Sequence, residues 1–249
     1  MTKQALVVSK ANVLARGTST LDVVEAKVIE YCLSNIHYTE KFTQDMLFKV
    51  DVDAMSEHFG MDRSLAYREL RRIAISISNK TIKIPNFWLP EKEVATHWLQ
   101  SVIYNDETES LDLRFSYDVV PYLTGQAIRR EFTTYLLEDI AQFRGLYCNR
   151  LFNLCKSHAF KGSFEITVKE LRDFLAIEDT KYPNWGDLKI ALKRTMKEIE
   201  EKTFLKIGMV EAGKCRGRVS LLEFRMEIAP EGAMGGGYGV REEVKISSN

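Results

Sequence analysis

Lysine and arginine side chains recur at helical spacing in the segment WGDLKIALKRTMKEIEEKT, residues 185–203. At about 100° per residue, one side of this segment is predicted to hold the apolar stripe Leu188, Leu192, Thr195 and Ile199. The opposite side carries Lys189, Lys193, Arg194 and Lys197. Glutamates at the C-terminal end would repel phosphate, so only the first three turns suit contact with a polyanion. The pattern is typical of a helix that enters a DNA groove with its N-terminal part, although many solvated amphipathic helices share it.

A second group of cations lies between residues 63 and 83, where six lysines and arginines accompany one glutamate. Apolar residues at helical spacing predict a helix here that begins after Asp62. Its outward residues form the second candidate DNA contact, namely Arg63, Ser64, Tyr67, Arg68 and Arg71. One basic helix is common on solvated surfaces, whereas two at corresponding positions of a repeated element order favour nucleic acid as the partner.

The two predicted hairpin turns carry opposite charges. The turn EAGKCRGR has three cations on a glycine-rich backbone, Lys214, Arg216 and Arg218. Such a turn suits contact with phosphate or a minor groove. The turn DETES has three carboxylates, Asp106, Glu107 and Glu109. Because phosphate would repel them, this acidic turn is predicted to face a protein or solvent.

Composition argues against several other classes of protein. Lysines plus arginines and aspartates plus glutamates both number 35 in 249 residues, so any nucleic-acid contact must rest on local clusters of charge. The four cysteines form no C-x-x-C pair and the four histidines form no H-x-H or H-E-x-x-H motif, so we expect no metal site and no cofactor. The sequence has no P-loop, and Tyr67 has no evident base or metal to make it a nucleophile. We therefore expect no enzymatic activity.

Hydropathy points to the cytoplasm. No apolar run approaches the ~18 residues of a membrane span, and the N-terminus lacks the apolar core of a signal peptide. We therefore expect a cytoplasmic protein with no membrane contact.

The predicted elements follow the same order in each half of the chain: helix, strand, short helix, longer helix, strand and hairpin. In the first half, Asp53 is predicted to cap the short helix. In the second half, a long amphipathic helix is predicted from about Thr133 to His158, and Thr167 and Glu170 form a capping box. This order is typical of the winged helix, a helix-turn-helix followed by a two-stranded wing. The predicted fold class is α+β, with two tandem winged-helix domains.

The predicted boundaries divide the chain into four parts. They are an N-terminal arm (1–18), a first winged-helix domain (19–130), a second winged-helix domain (131–230) and a disordered tail (231–249). The tail has no apolar periodicity and contains four glycines in six residues, a composition typical of disorder.

Four stretches resemble iteron-binding plasmid replication initiators in the order and spacing of many loose motifs. They are FKVDVDAMSEHFGMDRSLAYRELRRIAISISNKTIKI, WLQSVIYNDETESLDLRFSYDVVPYLTGQ, FTTYLLEDIAQFRGLYCNRLFNLC and YPNWGDLKIALKRTMKEIEEKTFLKI. The similarity extends over roughly residues 21–228. It implies monomers that bind direct repeats (iterons) in double-stranded DNA at a plasmid origin, help to open the duplex, and recruit the host replication initiator and the replicative helicase. It also implies a homodimer, in equilibrium with the monomer, that represses its own promoter through an operator inverted repeat.

The resemblance also implies roles for the two basic helices. By position, the helix of the second domain is the chief base reader, and Arg68 and Arg71 of the first domain make a second contact. A symmetric dimer requires inverted half-sites, whereas tandem direct repeats suit monomers. We expect the first domain, with its acidic turn, to form the dimer interface. The chain departs from the family in its neutral overall charge and its glycine-rich tail.

Two other functions stay open at the level of sequence. A tandem winged-helix transcriptional repressor would share the DNA contacts but would not act at an origin. A protein-interaction module of the chromosome-condensation type would be expected to have acidic or apolar surface where this chain has Lys193 and Arg194.

Overall fold

The structure of the chain is a computed structural model. It describes residues 5–36, 45–87, 89, 91–123 and 132–229. The predicted tail and the first four residues of the predicted arm lie outside the described residues.

Helices and short strands alternate along both halves. The first half consists of β1 (Val7–Ala11), α1 (Asn12–Ala15), β2 (Thr18–Ser19), α2 (Val23–Ser34), β3 (Phe48–Asp51), α3 (Val52–Phe59), α4 (Arg63–Ser76), β4 (Thr81–Pro85), β5 (Glu93–His97), β6 (Leu99–Asn105) and β7 (Ser110–Phe115). The second half consists of β8 (Phe132–Leu136), α5 (Leu137–Ala141), α6 (Cys148–His158), β9 (Ser163–Thr167), α7 (Val168–Leu175), α8 (Trp185–Lys202), β10 (Leu205–Cys215) and β11 (Arg218–Ile228). Single turns of 3-10 helix follow α4 and α6, and another lies after β7.

The two halves contain the same small antiparallel sheet. Its strand order is β3-β7-β6 in the first half and β9-β11-β10 in the second. In each, the strand before the helix-turn-helix pairs with the last strand of the hairpin that follows it. Because α3–α4 and α7–α8 occupy equivalent places in this topology, the predicted α+β fold with two tandem winged-helix domains is confirmed.

The first half has an additional sheet, with the strand order β2-β4-β5. The strand β4 corresponds to the sequence NKTIKI, which resembles the segment EKTFLKI that enters the second hairpin. Its partners are β2 and β5, so it does not belong to the first wing. The match between the two segments therefore does not mark equivalent strands.

Polar caps fix where the helix-turn-helix elements begin. The Thr167 hydroxyl accepts the Glu170 N–H at 3.1 Å, and the Glu170 carboxylate accepts the Thr167 N–H at 3.0 Å, which confirms the predicted capping box. Asp62 caps α4 as predicted, since its carboxylate accepts the N–H of Leu65 at 3.0 Å.

The predicted cap of the short helix α3 is wrong by two residues. The carboxylate of Asp51 accepts the N–H of Ala54 at 2.8 Å and caps the helix. Asp53 instead lies inside the first turn, because the helix already begins at Val52. An acidic residue in a first turn still complements the helix dipole.

The long helix predicted from Thr133 to His158 is also wrong. This stretch contains β8, α5 and α6, and residues 142–147 separate the two helices. Along β8, Thr133 and Tyr135 are buried and their neighbours are more exposed, a period of two that belongs to a strand. The partner of β8 is β1, with Val8 opposite Tyr135. The residue types in FTTYL do not follow this alternation of burial, because it is set by a partner that is distant in the sequence.

Most of the predicted N-terminal arm is packed. Residues 7–15 form β1 and α1, and Val8, Ala11 and Leu14 are buried. This part of the predicted arm belongs to the fold, because its apolar side chains enter the core and its backbone pairs with β8. The remaining predicted domain boundaries stay predictions.

A buried polar network accompanies the β1–β8 pair. Lys10 on β1 donates to Glu30 on α2 at 2.5 Å, and the hydroxyl of Tyr135 on β8 donates to the same carboxylate at 2.8 Å. On α6, the Arg150 guanidinium donates to the carbonyls of Leu21 at 2.7 Å and Leu175 at 2.6 Å. Charge-assisted hydrogen bonds of this kind are stronger than neutral ones, so they tie the two halves together.

The C-terminal part of α8 is held by the loop between α5 and α6. The carboxylate of Glu198 accepts the backbone N–H groups of Arg144 at 2.6 Å and Gly145 at 3.1 Å. Burial favours the neutral carboxyl, but these two hydrogen bonds and one from the Cys148 thiol outweigh it and lower the pKa of Glu198. This glutamate therefore orients the helix, in addition to adding negative charge at its end.

Across the parts of the chain that the structure describes, no helix is both long enough and apolar enough to span a bilayer.

Gly145→Ala is expected to lower the free energy of unfolding by about 1–3 kcal/mol. A Cβ atom at this position would lie 2.6 Å from Cys148 Sγ and 2.8 Å from Glu198 Oε2, so the loop or α8 would have to shift. Urea denaturation followed by circular dichroism measures the change. The matched control is Gly208→Ala, where the nearest atom, Arg225 Cβ, would lie 3.8 Å away. Equal stabilities for the two variants would contradict the close packing of α8 against this loop.

Candidate nucleic-acid interface

The helix α8 presents its cations because its other side is fixed in the core. Asn184 caps it by accepting the N–H of Asp187 at 3.0 Å. The residues that it buries are Leu188, Leu192, Thr195, Met196 and Ile199. This stripe includes the four residues predicted from periodicity, and it places the predicted cations on the outer side of the second half.

The four predicted cations of α8 differ in their ion pairs. Lys193 and Arg194 are exposed, and neither has an ion pair with any residue that the structure describes. Lys197 is exposed and lies 3.7 Å from Glu201, one turn further along the helix. Such exposed pairs contribute little. Lys189 is partly buried and donates to Glu211 at 2.7 Å.

Glu211 on β10 joins the helix to the wing, a role that the sequence analysis missed. Its carboxylate accepts hydrogen bonds from Lys189 and from the Trp185 indole at 2.8 Å. The hydrogen bonds from Lys189 and then Trp185 lower the pKa of Glu211. The segment EAGKCRGR gave no signal for this contact, because both partners lie more than twenty residues away.

The second wing is longer and its turn is tighter than predicted. The strands β10 and β11 continue to Cys215 and from Arg218, so Arg216 and Gly217 alone form the turn. Both have positive φ, 49° and 76°, which is the geometry of a two-residue type I′ hairpin. The cations Lys214, Arg216 and Arg218 are exposed, and none forms an ion pair within the described ranges.

The equivalent helix of the first half, α4, presents cations that are largely paired. Arg63 pairs with Asp53 and donates to Glu109 at 2.8 Å. Arg71 lies 3.9 Å from Asp106, and its guanidinium donates to the Tyr67 hydroxyl at 2.9 Å. These contacts link Arg63 and Arg71 to carboxylates while both side chains stay more than half exposed.

Cations beside α4 are paired in the same way. Arg72 pairs with Asp22 and Glu69, each at 2.8 Å. Lys80 lies 3.2 Å from Glu25, and Lys83 lies 2.5 Å from Glu93. Of the predicted contacts on α4, Ser64 and Arg68 are exposed and have no polar partner among the residues described.

The acidic turn, residues 106–109, contacts α4 and also faces solvent as expected, since Asp106, Glu107 and Thr108 are exposed. The hairpin of β6 and β7 packs on α4, which brings Asp106 and Glu109 to its arginines. The Glu109 backbone has φ 46°, and its carbonyl accepts the Val52 N–H at 3.2 Å. Asn105 accepts the N–H of Glu107 at 3.1 Å. These bonds hold the turn in place.

The two hairpins therefore have opposite relations to their helices. In the first half, the turn supplies carboxylates to α4, whereas in the second half the turn adds unpaired cations beside α8. Among the predicted DNA contacts of the second half, those without an ion pair in the described residues are Lys193, Arg194, Lys214, Arg216 and Arg218. Within the part of the chain that the structure describes, only this surface combines an accessible helix with an accessible wing of the same positive charge.

Comparison with protein-family models identifies both halves. Residues 7–156 match the model for the WH1 domain of the initiator replication protein, and residues 167–226 match the model for the WH2 domain of the initiator Rep protein. The chain belongs to the Rep initiator family. The WH1 match extends past the predicted boundary at residue 130 and includes β8, α5 and most of α6 of this initiator.

Solved structures share the fold of this initiator. The Pi initiator protein, solved in complex with iteron DNA, is 22% identical, has a TM-score of 0.74, and is matched over 92% of this chain and 99% of its own. A second match is the WH1 domain of MSBI1.176, a replication protein isolated from a multiple sclerosis patient. Its identity is 16% and its TM-score is 0.31, over 54% of this chain and 87% of that chain, too low to add to the fold assignment. No curated protein sequence matches the chain.

Removal of the carboxylates that pair with α4 is expected to strengthen binding to DNA of any sequence. Asp106→Asn/Glu109→Gln would release Arg71 and would leave Arg63 with one of its two acidic partners, so we expect about 3–10-fold tighter binding to a scrambled duplex and a salt slope steeper by about one. Fluorescence anisotropy between 50 and 200 mM salt measures both quantities.

The control variant is Glu91→Gln/Glu107→Gln. It also removes two negative charges, but it removes them from carboxylates that have no ion pair within the described residues. We expect a gain of no more than about twofold and an unchanged slope. Equal gains in the two variants would show that net charge sets the affinity and that the pairing with α4 does not.

Proposed function

We propose that this initiator binds iterons, the direct repeats of a plasmid origin, in double-stranded DNA and thereby starts plasmid replication. The observation that carries the proposal is the surface of unpaired cations on α8 and its wing. Membership of the Rep initiator family supports it. Further support comes from the shared fold with the Pi initiator protein, whose structure contains iteron DNA.

In this proposal α8 is the chief base reader. A helix of this size fits the major groove, and a lysine or arginine there can reach guanine O6 and N7. The residues with this role are Lys189, Lys193, Arg194 and Lys197. The wing lies along the backbone or in a minor groove, and its contacts come from Lys214, Arg216 and Arg218. Cations there neutralise phosphate and position the helix without reading sequence.

The helix α4 makes a secondary contact in the proposal. The residues concerned are Arg63, Ser64, Tyr67, Arg68 and Arg71. Only Ser64 and Arg68 are without polar partners in the described chain, whereas the carboxylates of the acidic turn compete with phosphate for Arg63 and Arg71. This competition supports a division in which the second domain dominates affinity.

Partners beyond iteron DNA belong to the same proposal. The monomer binds direct repeats and recruits the host replication initiator and the replicative helicase, while a homodimer binds an operator inverted repeat and represses the gene. Two-fold symmetry matches inverted half-sites, and direct repeats have no such axis. We further propose that the protein acts by binding, without catalysis or a cofactor, in the bacterial cytosol.

Arg194→Ala is expected to lower affinity for the specific site roughly ten- to a hundredfold and to relax preference at one base pair. The residue is exposed on α8 without an ion pair in the described chain, so the substitution removes a contact and leaves the fold unchanged. Anisotropy titrations against the specific site and its single-base variants measure both effects.

Arg71→Ala is the matched variant on α4, and it should cost less than Arg194→Ala because Arg71 is already engaged by Tyr67 and Asp106. If Arg71→Ala abolishes specific binding and Arg194→Ala does not, the roles of the two domains are reversed. If neither variant alters binding, the two helices do not read the DNA.

A further inference from the structure

An exposed isoleucine lies among the cations of α8. The side chain of Ile190 is 53% exposed, although the helix already has a full buried stripe on its other side. Lys193 and Arg194 follow it at spacings of three and four residues, so they are its neighbours on the helix surface. The cationic surface proposed to read DNA therefore has an apolar side chain within it.

The first turn of α8 leaves this isoleucine accessible to a large partner. Gly186, four residues earlier, lies on the same side of the helix and has no side chain. A Cβ atom there would have only the Asn184 carboxamide oxygen, at 3.2 Å, within 4 Å. Because Gly186 has no side chain, the first turn of α8 takes up little space at the point where a recognition helix approaches base edges most closely.

DNA offers one apolar group in the major groove. It is the C5-methyl group of thymine, and side chains that contact it exclude water from both surfaces. Lys193 and Arg194 would contact guanines beside such a thymine and the cations of the wing would contact phosphates, which fits the mixture of apolar and cationic groups on this part of α8. A protein partner would need an apolar contact bordered by acidic groups.

We propose that Ile190 contacts the methyl group of a thymine in the specific site and so helps to determine its sequence. This inference rests on the proposed function and adds a thymine to the base pairs read by lysine and arginine. The Ile190 side chain would distinguish thymine from cytosine and uracil by contact with the thymine methyl group, without a hydrogen bond.

The test uses the full chain and the tightest-bound duplex selected from a randomised pool. Each thymine of that duplex is replaced in turn by uracil, which lacks only the methyl group. Wild-type protein is expected to bind about 3–10-fold less tightly when one particular thymine is replaced, the range expected for loss of a buried methyl contact. Ile190→Ala should bind the unmodified site about as weakly, and it should be insensitive to that replacement.

Ile75→Ala is the matched control, because Ile75 is an isoleucine on α4 that is 79% exposed. This variant should keep the wild-type affinity and the wild-type sensitivity to uracil. Thermal melting of both variants checks that each remains folded, as expected for substitutions of exposed side chains.

The outcomes separate this inference from the function on which it rests. If a uracil weakens wild type and Ile190→Ala by the same factor, or if no uracil matters, the inference is overturned while iteron binding stands. If Ile190→Ala weakens a scrambled duplex as much as the selected one, Ile190 is not a specificity determinant. If the wild type does not prefer the selected duplex to the scrambled one, the proposed function and this inference both fail.

Discussion

Ion pairing within the chain determines which cations of this protein are available to an external anion. The formal net charge is zero, so DNA is attracted only to surfaces where cations have no carboxylate beside them. Around α4, the arginines and lysines other than Arg68 have acidic partners from α2 and its cap, α3, α4 itself, β5 and the first hairpin. Around α8, Lys193 and Arg194 and the cations of the wing keep their charge unpaired within the described residues. Two domains of one topology therefore present different surfaces, and the structure supports DNA reading by the second more strongly than by the first.

The surface of α8 depends on how the rest of the fold holds that helix. Glu198 binds it to the loop before α6, and α6 in turn holds both halves through Arg150. The strand pair β1–β8 and the buried hydrogen bond from the Tyr135 hydroxyl to Glu30 add a second link between the halves. A single polar partner removed from such a buried network would leave an unpaired charge, which costs several kcal/mol. The relative position of the two helix-turn-helix elements is consequently built into the core.

Local signals in the sequence were sufficient for the elements that carry the candidate site. Helical periodicity and short polar caps predicted α4, α7 and α8, and the alternation of apolar residues predicted both hairpins. Contacts between residues that lie far apart in the sequence leave no such local signal. The strand β8 was predicted as part of a helix because β1, more than a hundred residues earlier, defines it. Likewise, Arg63 and Glu109 are 46 residues apart, so a count of charges along α4 indicated a basic surface where the fold neutralises it. The cations of α8 lie on the outward side of the helix as its periodicity predicts, but the pairing of Lys189 with Glu211 has no local signal.

The dependence of DNA affinity on salt tests the central claim most directly, because each phosphate neutralised by a cation releases condensed counterions. The described part of the second half offers Lys193, Arg194, Lys214, Arg216 and Arg218 without ion pairs. If these side chains carry the contact, the slope of log K against log salt for the wild-type protein on its own direct repeat should be roughly −4 to −5. Fluorescence anisotropy between 50 and 200 mM salt gives this slope. A nearly flat dependence over that range would contradict the account.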